Sequence, residues 1–377
     1  MAEEALSEDA NLYPVAKEGI GIAVVGLGFG QAFVPIYQAH PDVARVGICE
    51  TNPDLLASAG DRFGIERRHT SLEEVLADDA YDAVHLLTPV PLHVDQTFAI
   101  LAAGKHVACA VPMATSLNDL HRIVAEVQRT GLKYMMMETG AYTREFLYAR
   151  DLHERGELGN LTFLRGTYFQ DLEGSYPDYW RAQPPMHYAT HAVGPILALA
   201  KTRVERVCCL GSGRLRADIQ QPGGNVFPLQ TAVMRLAGTD IAVEVTKSWF
   251  QVARSYTEAF SVYGDQKGFE WQQIEHEEPI LYTLEPLVPG HRGRHAHAER
   301  VSVPFRSDLL PSELASFADG GHGGSHPHLA HEFVSSIVEN RSSVINEVVA
   351  ADWTAPGICA DLSSLREGEP VQVPVFA

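Results

Sequence analysis

Residues 20–32, IGIAVVGLGFGQA, constrain this chain more than any other stretch, because an apolar β-type run breaks into closely spaced glycines and then into a segment of helical character. That order builds a phosphate cradle. Gly26 permits a tight strand-to-loop turn, Gly28 lets bare backbone approach a pyrophosphate, and the N–H groups at the helix start supply partial positive charge. Phe29 and Gly30 complete the loop. The run departs from G-x-G-x-x-G/A, because Gln31 stands at the third position between Gly30 and Ala32, so the helix must close on the strand in a slightly different way. A second strand at 43–49 ends in Glu50, roughly 20 residues beyond the loop, where a carboxylate accepts hydrogen bonds from ribose hydroxyls and repels a 2′-phosphate. The expected cofactor is NAD.

Apolar strands alternate with amphipathic segments in the first part of the chain, at 20–25, 43–49, 83–87, 106–110 and 133–137. Alternation of this kind predicts a doubly wound parallel sheet of the Rossmann type. After a helix at 143–155 the pattern changes to strand-like runs at 161–169, 204–215, 231–236, 241–250 and 256–263, which follow one another without regular helices. They predict a second α/β domain with a large, mostly antiparallel open sheet. A helix is expected at 187–200, kinked at Pro195, with loops at 289–298 and 319–328, helices near 328–339 and 346–365, and a last strand at 371–375.

At 377 residues the chain exceeds what one hydrophobic core usually serves. Two domains follow, 1–140 for the dinucleotide and 141–377 for the substrate. With 48 acidic against 29 basic residues the formal charge is −19, which disfavours nucleic acid and anionic membrane as partners. The acidic start, MAEEALSEDA, lacks the apolar core of a signal peptide, and no apolar run approaches a membrane span, so a cytoplasmic location is expected. The five cysteines form no C-x-x-C pair and are assigned no chemistry.

Several short motifs carry a family likeness. Thr88-Pro89-Val90-Pro91-Leu92-His93 is similar to a T-P-N-x-x-H turn, Ala103-Gly104-Lys105-His106-Val107 to A-G-K-H-V, Gly156-Glu157-Leu158-Gly159 to G-x-L/I-G, and Trp180-Arg181 to a Trp-Arg pair that precedes the catalytic helix. On these segments the chain resembles the glucose-fructose oxidoreductase, inositol dehydrogenase and MocA family over nearly its whole length. The resemblance implies an NAD(P)-binding Rossmann domain joined to an open-sheet domain whose face commonly mediates oligomers, here a dimer or tetramer. It also implies a sugar, cyclitol or related polyol bound between the domains, with Thr88, Pro89, His93, Trp180 and Arg181 on the cofactor side.

Two departures bear on chemistry. The family's E-K-P, whose lysine contacts nicotinamide and substrate hydroxyl, is replaced by Ala110, Val111 and Pro112, and its D-x-x-x-H is replaced by His187 and His191. Imidazole titrates near neutral pH, so His191 is expected to carry the hydroxyl proton that must leave as a carbinol is oxidised. His187, at i−4 on the expected helix, either supports it or hydrogen-bonds in the domain interface. An H-x-x-x-H pair can also share a metal, but no acidic or cysteine ligand stands at diagnostic spacing, so none is assigned.

Tyr142 follows the last Rossmann strand and can donate to a sugar or simply pack, while Glu138 faces the ligand crevice or caps the next turn. Tyr179 and Trp180 offer flat faces to a pyranose or act as hydrophobic latches, and His326 and His328 lie in a His-rich loop expected to line a polar pocket. The leading reading is an NAD-dependent oxidoreductase acting on a hydroxyl of a sugar, cyclitol or glycoside. A second is an NAD-dependent glycosidase that oxidises transiently, eliminates, hydrates and re-reduces. A third is a dinucleotide-binding sensor without catalysis.

Overall fold

The computed structural model describes residues 19–174, 176–254 and 256–377. Two sheets organise them. The first has six parallel strands, β1 (Ile20–Val25), β2 (Val43–Cys49), β3 (Arg68–His69), β4 (Ala83–Leu86), β5 (His106–Cys109) and β6 (Tyr134–Met136), in the order β3-β2-β1-β4-β5-β6. Helices cover both faces, so the central strands are apolar along nearly their whole length, and Ile22, Ala23, Val24, Ala83, Val84 and Leu86 are fully buried. The strand order reverses between β1 and β4, and the crevice at their carboxyl ends is where sheets of this type bind ligands.

Local capping sets the helices between these strands. Asn52 accepts from the N–H groups of Asp54 and Leu55 at the start of the helix Pro53–Phe63, and Ser116 does the same for Asp119 at the helix Leu117–Thr130. Gly64 and Gly131 close those helices in the left-handed conformation.

The second sheet has nine strands: β7 (Leu161–Phe169), β8 (Val204–Ser212), β9 (Leu229–Leu236), β10 (Ala242–Ser248), β11 (Thr257–Gly264), β12 (Lys267–Glu270), β13 (Ile280–Leu284), β14 (Ala296–Arg300) and β15 (Val371–Gln372). Their order is β14-β13-β12-β11-β7-β10-β9-β8-β15, antiparallel throughout except for the β7–β10 pair. The helices Thr190–Ala200 and Glu347–Ser364 pack on its inner face. The two halves are tied across β6, where the Met136 N–H donates to the Ile345 carbonyl at 3.0 Å and the Ser343 hydroxyl to the Tyr134 carbonyl at 2.8 Å.

Three expectations need correction. The strands β3, β12, β13 and β14 were not expected: β3 is two residues long, β12 is KGFE and β14 is exposed at every position, so none of these three carries an apolar run, whereas β13, ILYTL, does. The helix expected at 187–200 starts only at Thr190. Residues Pro185–Tyr188 form a separate 3-10 turn, because Pro184 and Pro185 begin it and Ala189 (φ −89°, ψ 2°) breaks the α geometry. His187 therefore does not share a helix face with His191. Finally, much of 319–328 belongs to the helical segment Gly321–Val338, interrupted at His322, Gly323 and Gly324, whose φ values of 43°, 64° and 87° are all left-handed. Among the described residues no helix is long and apolar enough to cross a membrane.

Candidate functional site

The glycine loop meets the geometric demands of a dinucleotide. Gly26 has φ 91°, and a Cβ there would lie 2.7 Å from the Leu87 carbonyl oxygen, so neither the turn nor the space admits a side chain. A Cβ at Gly28 would meet nothing within 4 Å, which leaves that backbone open for close approach by a ligand. Gly30, rather than residue 31, performs the helix-to-strand packing, since its Cβ would lie 3.0 Å from Val24 Cγ1 and 3.1 Å from Leu87 Cδ1. Gln31 stays near helical geometry just after the single turn Leu27–Gly30.

Glu50 sits against this loop. Its Oε2 accepts from the Leu27 N–H at 2.9 Å and its Oε1 from the Asn52 N–H at 3.0 Å. Burial opposes ionisation there, but these backbone bonds outweigh it and hold the carboxyl below its usual pKa.

The loops after β4 and β5 are held by His93, whose Nδ1 and Nε2 each lie 2.9 Å from a carbonyl oxygen, those of Pro112 and Thr88. Burial works against a charge on this ring, yet Cys109 and the two carbonyls raise its pKa to about 9. Only the imidazolium donates from both nitrogens, so His93 clasps the two loops together, and it does not line the cavity described below. Thr88 uses its hydroxyl on Gln96, and Pro89 is exposed.

A cavity of about 570 Å³ opens at the carboxyl ends of the parallel strands, between the two sheets. Phe29, Leu87, Ala110, Val111 and Met137 line the Rossmann side, so small and apolar side chains stand where the resemblance would place a lysine. Facing them are Tyr168, Tyr188, Trp249, Tyr256, His191 and His322 from the second half of the chain, with Trp180 beside them. Trp180 packs within an aromatic group, 5.1 Å from Tyr188 and 5.0 Å from Trp249 between ring centroids.

His191 is buried between two carboxylates. Its Nδ1 donates to Glu138 Oε1 at 2.6 Å, and its Nε2 lies 3.7 Å from Glu258 Oε1. Burial alone would lower the imidazole's pKa, but the charges of Glu138 and Glu258 outweigh it and raise it to about 9. Glu258 in turn is held down at about 2: burial opposes this, while His191, His322 and Tyr256 favour the carboxylate. His322 Nδ1 lies 3.6 Å from Glu258 Oε2, and the His322 ring stacks over His191 with centroids 6.5 Å apart. Two imidazoles thus face one cavity and share one carboxylate.

The structure separates other residues from this cluster. His187 points its Nε2 at Asp361, 3.6 Å away, instead of at His191. Tyr142 stacks on His328 at 6.3 Å under the helical segment Gly321–Val338, and neither ring lines the cavity. His326 is buried behind the glycine loop, 4.5 Å from the Phe33 ring and 5.3 Å from Phe29, and burial depresses its pKa to about 3. Glu138 is fully buried; besides bonding His191 it accepts from the Gly140 N–H at 2.7 Å, the turn-capping role foreseen as its alternative. Arg181 pairs with Asp178 at 3.3 Å, and Tyr179 packs on Trp180 outside the cavity wall.

Glu258, Tyr188 and Lys247 carry no motif, and of the His-rich loop expected to line a polar pocket it is His322, not His326 or His328, that lines this cavity. Glu258 and Lys247 are ionisable residues at inward positions of apolar strands, and His322 stands between paired glycines; those are the available signals. Lys247 is fully buried, its Nζ 3.5 Å from the centroid of the Tyr168 ring and 3.2 Å from that of Trp249, and burial holds its pKa far below the usual lysine value. Among the described residues no three His, Cys, Asp or Glu side chains converge as metal ligands.

Comparison with known proteins bears on both halves. Residues 20–138 match a family model described as an oxidoreductase family with an NAD-binding Rossmann fold. A glycosyl hydrolase family 109 protein of Streptomyces niveus is 24% identical over 407 residues, covering 96% of this chain and 78% of that protein. The levoglucosan dehydrogenase of Pseudarthrobacter phenanthrenivorans is 29% identical over 177 residues, 44% of this chain and 45% of that protein. A solved levoglucosan dehydrogenase in complex with NADH and levoglucosan superposes with a TM-score of 0.77 over 95% of this chain and the whole of that one, at 21% identity. That likeness is one of fold.

Proposed function

The chain belongs to the glucose-fructose oxidoreductase, inositol dehydrogenase and MocA family of NAD-dependent oxidoreductases, and from that premise we propose that it acts on a carbinol of a sugar, cyclitol or glycoside with His191 as general acid/base. The observation that carries this reading is the Glu138–His191 pair on the wall of a cavity built at the carboxyl ends of the Rossmann strands. The open backbone at Gly28, the left-handed turn at Gly26 and the carboxylate of Glu50 fit NAD and would hold its phosphates and ribose. When bound, NAD accepts a hydride from the carbinol carbon and can return it.

The protein's own contribution is proton control. Glu138 fixes Nδ1 as the protonated nitrogen of His191 and so leaves Nε2 to exchange a proton with the substrate oxygen. Because the ring's pKa is held at about 9, the acid form prevails at neutral pH, and oxidation, which needs the base, gains rate as pH rises through that value. Tyr188, whose hydroxyl burial keeps protonated, stands 5.4 Å from the His191 ring and supplies a neutral donor. These groups take over the polarising work of the ammonium absent at Val111. His187 has no part in it, since its partner is Asp361.

A second reading, redox-neutral glycoside cleavage, has its own support in the His322–Glu258 pair. Net oxidation moves one proton from one hydroxyl. Cleavage through transient oxidation must also take a proton from the neighbouring carbon and give one to the leaving oxygen, so it needs a second proton-handling group. Full-length similarity to glycosyl hydrolase family 109 proteins points the same way. One assay separates the readings: the purified protein, its retained dinucleotide measured by ultraviolet absorbance, is offered polyols and aryl glycosides. Stoichiometric NADH marks the dehydrogenase, and aglycone release without net NADH marks the glycosidase. Absence of both with dinucleotide bound would overturn each.

A further inference from the structure

A second cavity of about 390 Å³ adjoins the first, and Tyr256 and His322 line both. The start of the Gly321–Val338 segment contributes Gly321, His322 and Gly323 to its lining. Besides Tyr256, its wall carries the aromatic rings of Trp271 and Phe305, the latter 37% exposed with the Arg144 guanidinium 4.7 Å from its centroid. Its polar lining is dominated by acceptors. Glu145 is 2% exposed and Gln272 8% exposed, and both line the cavity. Glu145 Oε1 takes bonds from Arg144 and Gln272, but Glu145 Oε2 and Gln272 Oε1 are buried with no hydrogen-bond partner among the described residues.

Unpartnered buried acceptors cost free energy unless a ligand donates to them. Flat apolar faces beside acceptor oxygens suit a ring whose faces are C–H and whose edge is hydroxyl, and the volume lies within the range of small-ligand pockets. Resting on the carbohydrate reading above, we propose that this second cavity is a subsite for the sugar ring beyond the one that reacts, so that the preferred substrate is a disaccharide or longer glycoside. Such a ligand passes the Tyr256–His322 pair where the two cavities meet. The linkage oxygen then lies beside His322, and the reacting ring lies beside His191.

The test compares methyl hexopyranosides with disaccharides carrying the same non-reducing ring, on the dinucleotide-loaded protein. The disaccharides should exceed the matching methyl glycoside in kcat/KM by about tenfold or more, and Phe305→Ala and Glu145→Gln should each remove most of that advantage while leaving methyl glycoside turnover within about twofold. Equal kcat/KM for the two substrates in the unaltered chain would overturn the subsite, as would variants that slow both substrates alike. If no glycoside in the panel reacts, the carbohydrate chemistry is what has failed, and calorimetric binding decides the subsite. Disaccharides that bind more tightly than methyl glycosides, with the difference lost in Phe305→Ala, keep it, and equal or absent binding removes it.

Discussion

The two walls of the main cavity are built on opposite principles. On the Rossmann side the lining is mostly apolar, Phe29, Phe33, Leu87, Ala110, Val111 and Met137, with His85 its one titratable side chain among the described residues and Glu50 set back against the glycine loop. On the other side, among Leu172, Trp180 and Trp249, stand groups that can share a proton: His191, His322, Tyr168, Tyr188 and Tyr256. A recognition wall made of backbone tolerates change in side-chain chemistry but not in shape. A wall made of coupled acids and bases tolerates the reverse. On the proposed reading, this difference lets the chain lack a lysine at Val111, because the groups that would manage charge at the reacting oxygen stand on the opposite face.

The largest effect that would break this comparison is at His191. His191→Ala should lower turnover by about two to four orders of magnitude while dinucleotide retention, read by ultraviolet absorbance, stays nearly unchanged. Retained turnover would take the proton chemistry away from that wall. Gly26→Ala attacks the other wall. Its Cβ meets the Leu87 carbonyl in a left-handed turn, so the expected result is lost dinucleotide binding and a destabilisation of about 1–3 kcal/mol by denaturant titration.

Glu138→Gln sharpens the comparison by changing charge at nearly constant shape. The His191 pKa, held at about 9, should fall, so the rising limb of the pH–rate profile for oxidation moves to lower pH. Stability shifts with a defined sign. A raised folded-state pKa gives stabilisation that is complete below the unfolded imidazole value and is lost as pH rises through about 9, and the variant should lack most of that dependence. An unmoved profile would mean that Glu138 only caps its turn. The smallest effect belongs to His187→Ala, which should leave kcat within about threefold, because the ring faces Asp361 and not the cavity.

Much of this was legible in the sequence. The strands β1, β2 and β7 stand where their apolar runs end, because burial on both faces, or on alternate positions, writes itself into the residue pattern. β14 left no such trace, being exposed on all five residues and paired at the sheet edge with β13. The family resemblance singles out His191, yet its second carboxylate is Glu258, 67 positions later on another element. Which of its two expected roles His187 takes turns on a local detail. A 3-10 turn in place of one more α turn is enough to swing a side chain to another partner.

The sequence by itself determined the cofactor loop, since a tight turn, an open backbone and a carboxylate after the next strand are requirements met within about 30 consecutive residues. Only the tertiary structure decided the protonation state of His191 and the identity of its neighbours. Charge–charge interaction depends on separation and burial in space, and Glu138, His191, Glu258 and His322 acquire both only when the two sheets close on one cavity.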